Sequence, residues 1–114
     1  MSAIGGSEWP FGDRLSPAKA GEWVTVRTRL GVGQTVRGRV IARRPFGVFV
    51  DIGVGFPALL EVIQFEGARQ RRYNFEEYPA VGDTITARVV AFNDPNRQVA
   101  LTQLNPHSYL DPSE

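Results

Sequence analysis

The chain has 114 residues, which is enough for one domain with a small hydrophobic core. Hydrophobic residues make up 42% of the sequence and charged residues 22%, a balance that excludes wholesale disorder and fibrous repeats. There is no cysteine, which excludes disulfide scaffolds and thiolate sites and favours a cytoplasmic location, and no apolar run is long enough to indicate a membrane partner. The net charge of +1 does not by itself indicate a nucleic-acid ligand.

Residues 1–29 are predicted to be an N-terminal extension outside the core. Glycine and proline recur through its first 22 residues, and Trp9 and Phe11 are the only aromatic side chains there. Residues 23–30 fit a short edge strand or a lead-in to the first barrel strand.

The first strand is predicted at about residues 34–44. Alternation places one set of residues inward, namely Val36, Gly38, Val40 and Ala42. The same alternation places the other set outward, namely Arg37, Arg39, Ile41 and Arg43.

The second strand is predicted at residues 48–52, where Val48, Val50 and Ile52 face inward. Phe49 and Asp51 must then face outward. A third short strand at residues 58–62 follows a glycine turn, and an Arg-rich connection extends to the turn at residues 82–83.

The fourth strand is predicted at residues 84–92, and residues 93–96 form the hairpin turn into a fifth strand at residues 98–102. Five short strands without a long amphipathic helix predict an all-β fold. The expected architecture is a five-stranded OB-fold barrel with an irregular or short-helical segment between strands 3 and 4.

Four segments of the sequence carry a family resemblance. Residues 30–40, 45–53, 81–83 and 99–102 occur in an order and spacing similar to the S1-type RNA-binding domain, named for the ribosomal protein. The resemblance spans about residues 30–103 and leaves residues 104–114 as a C-terminal tail. It implies a five-stranded barrel that binds single-stranded RNA on an outer face.

The resemblance also implies that Phe46 and Phe49 are the two aromatic RNA contacts. Strand alternation independently places Phe49 outside the barrel. Two outer aromatic rings can stack on unstacked bases. The alternative is an exposed cluster that packs on the connection between strands 3 and 4.

Two positions depart from the family pattern. Glu61 stands where many members have a histidine, and its carboxylate would repel phosphate unless Arg39 or another cation neutralises it. Asn93 stands where an acidic contact is common, with Asp94 and Arg97 close by. The resemblance therefore implies that Arg97 is an RNA contact, although the contact pair after the fourth strand is shifted relative to the family pattern.

Two clusters of arginine give the chain local positive charge. Arg37, Arg39 and Arg43 could follow a phosphate backbone along the first strand, and the alternative is a solvated strand face. Arg69, Arg71 and Arg72 precede three aromatic residues, as in single-strand binders. Here the alternative is a loop that Phe75 and Tyr78 anchor to the barrel.

The sequence offers little for catalysis or cofactor binding. Residues 53–58 match the residue types of a dinucleotide-binding motif. Dinucleotide binding requires a helix to begin there, but the residues that follow have the alternation of a strand. The only histidine is His107, in a polar tail, and neither a triad nor a metal-ligand spacing is present. We therefore expect no enzyme, no cofactor, no metal and no small-molecule substrate.

These observations predict a non-catalytic module that binds single-stranded RNA, with a role in translation or RNA metabolism implied by the resemblance. The alternative is a protein-interaction module on the same barrel. In that case Phe46, Phe49 and residues 9–11 would meet a protein partner, and Glu61 and the near-zero net charge favour this reading. Residues 1–29 could also cover the aromatic face of the same molecule, which would make the site autoinhibited.

Overall fold

A computed structural model describes residues 9–105. Five strands close into a barrel in the order β1-β2-β3-β5-β4, and all neighbouring pairs are antiparallel except β3 and β5. Their bounds are β1 Thr35–Arg44, β2 Gly47–Asp51, β3 Pro57–Glu61, β4 Thr84–Asn93 and β5 Gln98–Thr102. The predicted five-stranded barrel is confirmed.

The barrel core is built from alternate residues of every strand. Side chains on the inner side of the strands are almost completely buried, among them Val40, Val48, Val50, Ala58, Leu60, Val89, Val99 and Leu101. Because Val48 and Val50 are both fully buried, the intervening Phe49 faces outward, as predicted.

A β-bulge interrupts β1 and corrects part of the predicted alternation. The register between β1 and β2 shifts between Val40 and Ala42, so the residues after the bulge change sides. Ala42 lies opposite the outward Phe49, and Arg43 lies opposite the buried Val48. The prediction that Ala42 faces inward and Arg43 outward is therefore wrong.

An α-helix stands where the sequence suggested an edge strand or a lead-in. A short 3-10 turn at Pro17–Lys19 leads into helix α1, Ala20–Arg29, so the strand prediction is wrong. Trp23 and Val26, one helical turn apart, are buried in the same cluster as the barrel core. No helix within residues 9–105 is long and apolar enough to cross a membrane.

The connection from β3 to β4 is irregular and contains two 3-10 turns, Val62–Gln64 and Phe75–Glu77, as predicted. Tyr78 is buried, and its hydroxyl donates a hydrogen bond of 2.5 Å to the Pro45 carbonyl. Tyr78 therefore anchors the connection to the turn between β1 and β2, whereas Phe75 remains 44% exposed.

Candidate nucleic-acid interface

The residues predicted to bind RNA fall into two regions of the barrel surface, except Arg43, which contacts the β3–β4 connection. We call the first the β1–β2 face: the outward side chains Arg37, Arg39, Phe49 and Asp51, together with Phe46 in the adjoining turn. We call the second the hairpin site: residues 93–97, between β4 and β5.

Phe46 and Phe49 lie together at one end of the β1–β2 face. Their ring centroids are 6.0 Å apart with the rings nearly perpendicular, and Phe46 is 49% exposed. The Phe46 carbonyl accepts a hydrogen bond of 2.8 Å from the Val62 N–H, which fixes the turn against the end of β3. At Gly47 a Cβ would overlap the backbone of Leu60, so only glycine permits this close approach.

Arg37 and Arg39 are exposed on the same face. They pair in register with Thr86 and Thr84 of β4, and Arg39 also lies opposite Asp51 of β2. Within residues 9–105 neither guanidinium takes part in a hydrogen bond or an ion pair. Both cations are therefore available to an anionic ligand.

The Asp51 carboxylate on this face is hydrogen-bonded to the turn that follows β2. It accepts a hydrogen bond of 2.9 Å from the Gly53 N–H, and Gly53 adopts a positive φ of 84° that glycine tolerates. The following turn runs directly into β3 without a helix. The dinucleotide-binding motif therefore lacks the helix that it requires.

Arg43 does not join Arg37 and Arg39. Its guanidinium lies 4.3 Å from the centroid of the Phe75 ring and donates a hydrogen bond to the Phe75 carbonyl. Its Nε is buried, without a hydrogen-bond partner. The bulge in β1 turns this side chain towards the β3–β4 connection, where it contributes to packing.

Glu61 is exposed at the end of β3, close to the aromatic pair. It lies opposite Gly47 of β2, which in turn lies opposite Arg44 of β1. Arg39 lies towards the other end of β2, so Arg44 is the arginine in register with Glu61. Within the described residues Glu61 forms no ion pair, and its negative charge is left beside Phe46.

At the hairpin site, Arg97 is held by the chain's own N-terminal part. It has a φ of 49°, and its guanidinium donates hydrogen bonds to the carbonyls of Arg14 at 3.0 Å and Ser16 at 2.8 Å. The Arg14 guanidinium donates in return to the Asn96 carbonyl at 2.8 Å. The resemblance implied that Arg97 is an RNA contact, but its guanidinium already has two hydrogen-bond acceptors within the chain.

Asp94 is engaged in the same way. It accepts a hydrogen bond of 2.9 Å from the indole N–H of Trp23, and the Arg27 guanidinium lies 3.4 Å away. Trp23 packs edge-on against Phe56 and Phe92, with centroids at 5.2 and 6.1 Å. The hairpin site is thus the docking point of helix α1.

Residues 9–16, which we call the N-terminal segment, continue from the hairpin site to the β1–β2 face. Phe11 is only 5% exposed, and Trp9 lies 5.2 Å from Phe49 at an interplanar angle of 80°. Burial of a phenylalanine side chain stabilises a fold by about 1.5–3 kcal/mol, and each hydrogen bond from Arg97 adds roughly 1 kcal/mol. The segment is therefore a fixed part of the surface. The alternative that residues 1–29 cover the aromatic face named no single contact, and the structure places Trp9 against Phe49.

The second arginine cluster is also partly committed. Arg71 lies 2.6 Å from the Glu77 carboxylate and 4.2 Å from the centroid of the Tyr73 ring. The backbone N–H of Asn74 and the Arg71 guanidinium hold the pKa of the Glu77 carboxyl below its usual value. These contacts add to the order of the β3–β4 connection, which Tyr78 anchors to the barrel.

Residues 9–105 contain no cluster of His, Asp and Glu side chains that could hold a metal ion. His107 and the rest of the C-terminal tail lie outside the described residues.

Comparisons with known proteins agree with the barrel. The sequence model described as "S1 RNA binding domain" matches residues 29–103. The chain is 35% identical over 88 residues to "Small ribosomal subunit protein bS1" of Synechococcus elongatus, which covers 77% of this chain and 28% of that protein. The chain therefore spans less than a third of the length of this relative.

Two solved structures illustrate the fold. GSP13 from Bacillus subtilis superposes with a TM-score of 0.56 at 20% identity, over 65% of this chain and 55% of that one. A putative exosome complex RNA-binding protein superposes with a TM-score of 0.53 at 31% identity, over 64% of this chain and 42% of that one. The two structures agree with the barrel fold, and the family match over residues 29–103, more than half of the chain, shows that the chain belongs to the S1 RNA-binding domain family.

Proposed function

We propose that this chain binds single-stranded RNA on the β1–β2 face, as a non-catalytic module that serves translation or RNA metabolism in the cytoplasm. The observation that carries the proposal is an aromatic pair, the exposed Phe46 and the half-buried Phe49, on the same face as two arginines that have no partner within residues 9–105. These arginines are Arg37 and Arg39.

The two residue types would serve different parts of a nucleotide. The rings offer stacking surfaces to bases, which contributes about 1–3 kcal/mol per base whatever the sequence. The arginines attract the phosphates, and each neutralised phosphate adds about −0.7 to the slope of log affinity against log salt. The ligand is therefore a single strand, because paired bases have no free face to stack.

The relatives support this proposal. One curated relative is a ribosomal protein, and one solved structure of similar sequence is described as RNA-binding. Arg43 and Arg97 are not included in the proposed contact set, because Phe75 and the N-terminal segment engage them.

The test is the affinity for a fluorescein-labelled 12-nucleotide oligouridylate, measured by fluorescence anisotropy at low and moderate salt. Replacing both rings, Phe46→Ala with Phe49→Ala, is expected to weaken binding at least about thirtyfold, from two stacking contacts. Phe75→Ala is the matched control, because Phe75 has nearly the same exposure but lies in the β3–β4 connection. Native binding weaker than millimolar at low salt, or an unchanged double variant, would contradict the proposal.

A second candidate function is a protein-interaction module on the same face. The exposed Glu61 beside Phe46 favours it, because a carboxylate without an ion pair suits a basic protein partner better than a phosphate backbone. Pull-down from lysate with and without ribonuclease separates the two candidates. A partner that survives ribonuclease treatment, together with absent oligouridylate binding, would favour the protein module.

A further inference from the structure

We infer that Trp9 is a third stacking residue for single-stranded RNA, so that the N-terminal segment extends the β1–β2 face instead of covering it. The inference rests on the proposed function. It adds a part of the chain outside the five strands to the binding surface, and it assigns that part a ligand.

The three aromatic rings form one continuous row. Trp9 contacts Phe49 at 5.2 Å between centroids, and Phe49 contacts Phe46 at 6.0 Å on its other side in the row. Both contacts are close to perpendicular, at 80° and 89°. An edge-to-face contact does not use both faces of either ring, and Trp9 is only partly buried. An indole in this position can therefore accept a base while it supports Phe49.

The N-terminal segment is anchored at Phe11 and again at Arg14 and Ser16. Phe11 is buried, and its ring packs edge-on against Trp9 at 5.7 Å. Further along, the carbonyls of Arg14 and Ser16 accept hydrogen bonds from Arg97. A segment that acted as a detachable cover would have to expose Phe11 and break these bonds before RNA could bind. The anchoring therefore favours a permanent part of the surface.

A groove continues from the aromatic row along β1. It has a volume of about 400 Å³, and its lining includes Pro10 of the N-terminal segment together with Arg39 and Asp51. The volume is in the range of small-ligand sites. Arg39 supplies an uncommitted positive charge in this groove, which suits the phosphate that follows a stacked base.

Positive charge also flanks the indole. The Arg14 guanidinium lies 6.0 Å from the centroid of the Trp9 ring while it donates to the Asn96 carbonyl. An RNA strand that stacks on Trp9 would thus lie between Arg14 and Arg39.

The test compares the native chain with Trp9→Ala and Trp9→Phe, using the labelled 12-nucleotide oligouridylate. Trp9→Ala is expected to weaken binding about 5- to 100-fold, which corresponds to one lost stacking contact. Trp9→Phe keeps an aromatic ring and is expected to recover most of that loss. Val24→Ala is the control, since Val24 is 61% exposed on helix α1 and away from the aromatic row.

Intrinsic fluorescence gives an independent readout of the same contact. The chain has two tryptophans, and Trp23 is buried. Stacking of a base on Trp9 is expected to quench the native emission during titration. The quenching should disappear in Trp9→Phe, although this variant still binds.

The outcomes separate the inference from the proposed function. If the native chain binds and Trp9→Ala binds within twofold of it, the inference is overturned and the proposed function stands. If Trp9→Ala binds more tightly than the native chain, the segment is a cover and the inference is again overturned. If neither the native chain nor Trp9→Ala binds, the proposed function fails and takes the inference with it.

Discussion

The β1–β2 face and the hairpin site carry similar residue types, but they differ in whether the charged side chains are already bonded to other parts of the chain. On the β1–β2 face, Arg37 and Arg39 have no partner within residues 9–105, and Phe46 is half exposed. At the hairpin site, Arg97 and Asp94 are bonded to the N-terminal segment and to helix α1. An arginine near a binding surface thus supports stability or ligand binding according to whether the chain already supplies its acceptors.

The largest effect that separates the two regions concerns Trp23. Trp23→Ala is expected to lower the free energy of unfolding by about 3–5 kcal/mol, because it removes a buried ring and its hydrogen bond to Asp94. Phe46→Ala, at a half-exposed position, should cost less than about 1 kcal/mol. Urea unfolding measures both values. Equal losses of unfolding free energy in the two variants would contradict the distinction between the hairpin site, which stabilises the fold, and the β1–β2 face, which is open to a ligand.

Arg97 tests the hairpin site itself. Arg97→Ala is expected to cost about 1.5–3 kcal/mol of stability, because two carbonyls lose a charged donor. Arg97→Gly loses the same bonds but suits the positive φ, so it should be less destabilising than alanine by about 1 kcal/mol. Urea unfolding of both variants checks this order. A stable Arg97→Ala protein with tenfold weaker RNA binding would instead make Arg97 an RNA contact.

Arg37 and Arg39 test the open face. The double variant Arg37→Gln with Arg39→Gln should make the slope of log affinity against log salt shallower by about 1.4, from two phosphates. Its unfolding free energy should change by less than about 0.5 kcal/mol. Arg27→Gln is the matched control, because Arg27 is paired with Asp94 at the hairpin site. An unchanged slope in the double variant would show that phosphates do not reach β1.

Glu61 should produce the smallest effect. Glu61→Gln removes a negative charge beside Phe46 and is expected to tighten oligouridylate binding about two- to fivefold at low salt, because the repulsion acts through water. The gain should vanish as salt is raised. Glu76→Gln, in the β3–β4 connection, is the control with the same change of charge. Weaker binding of Glu61→Gln would mean that the carboxylate accepts a hydrogen bond from the RNA.

Strand alternation was enough to predict the barrel and the outward position of Phe49. It failed at Arg43, because the bulge after Val40 is set by the pairing of β1 with β2 and leaves no mark on the alternation of β1 itself. It failed again at helix α1, whose Val24, Thr25, Val26 and Thr28 favour a strand by local propensity. Burial of Trp23 and Val26 against the barrel outweighs that propensity.

The candidate site was predicted only in part for a related reason. Phe46 and Phe49 follow from a local motif, and the structure brings their rings together. The contacts of Arg97 with Arg14 and Ser16 join residues more than 80 positions apart, so no local pattern could indicate them. The contact between Trp9 and Phe49 also joins distant parts of the chain, and the sequence left open only in general terms that residues 1–29 cover the aromatic face.

The central claim is that RNA binds the β1–β2 face and leaves the hairpin site to hold the fold together. The most direct measurement is an NMR titration of the ¹⁵N-labelled chain with the 12-nucleotide oligouridylate. We predict the largest amide shift changes at residues 37–39 and 46–51, with residues 94–97 nearly unchanged. Changes concentrated at residues 94–97, or no changes anywhere at millimolar RNA, would contradict the account.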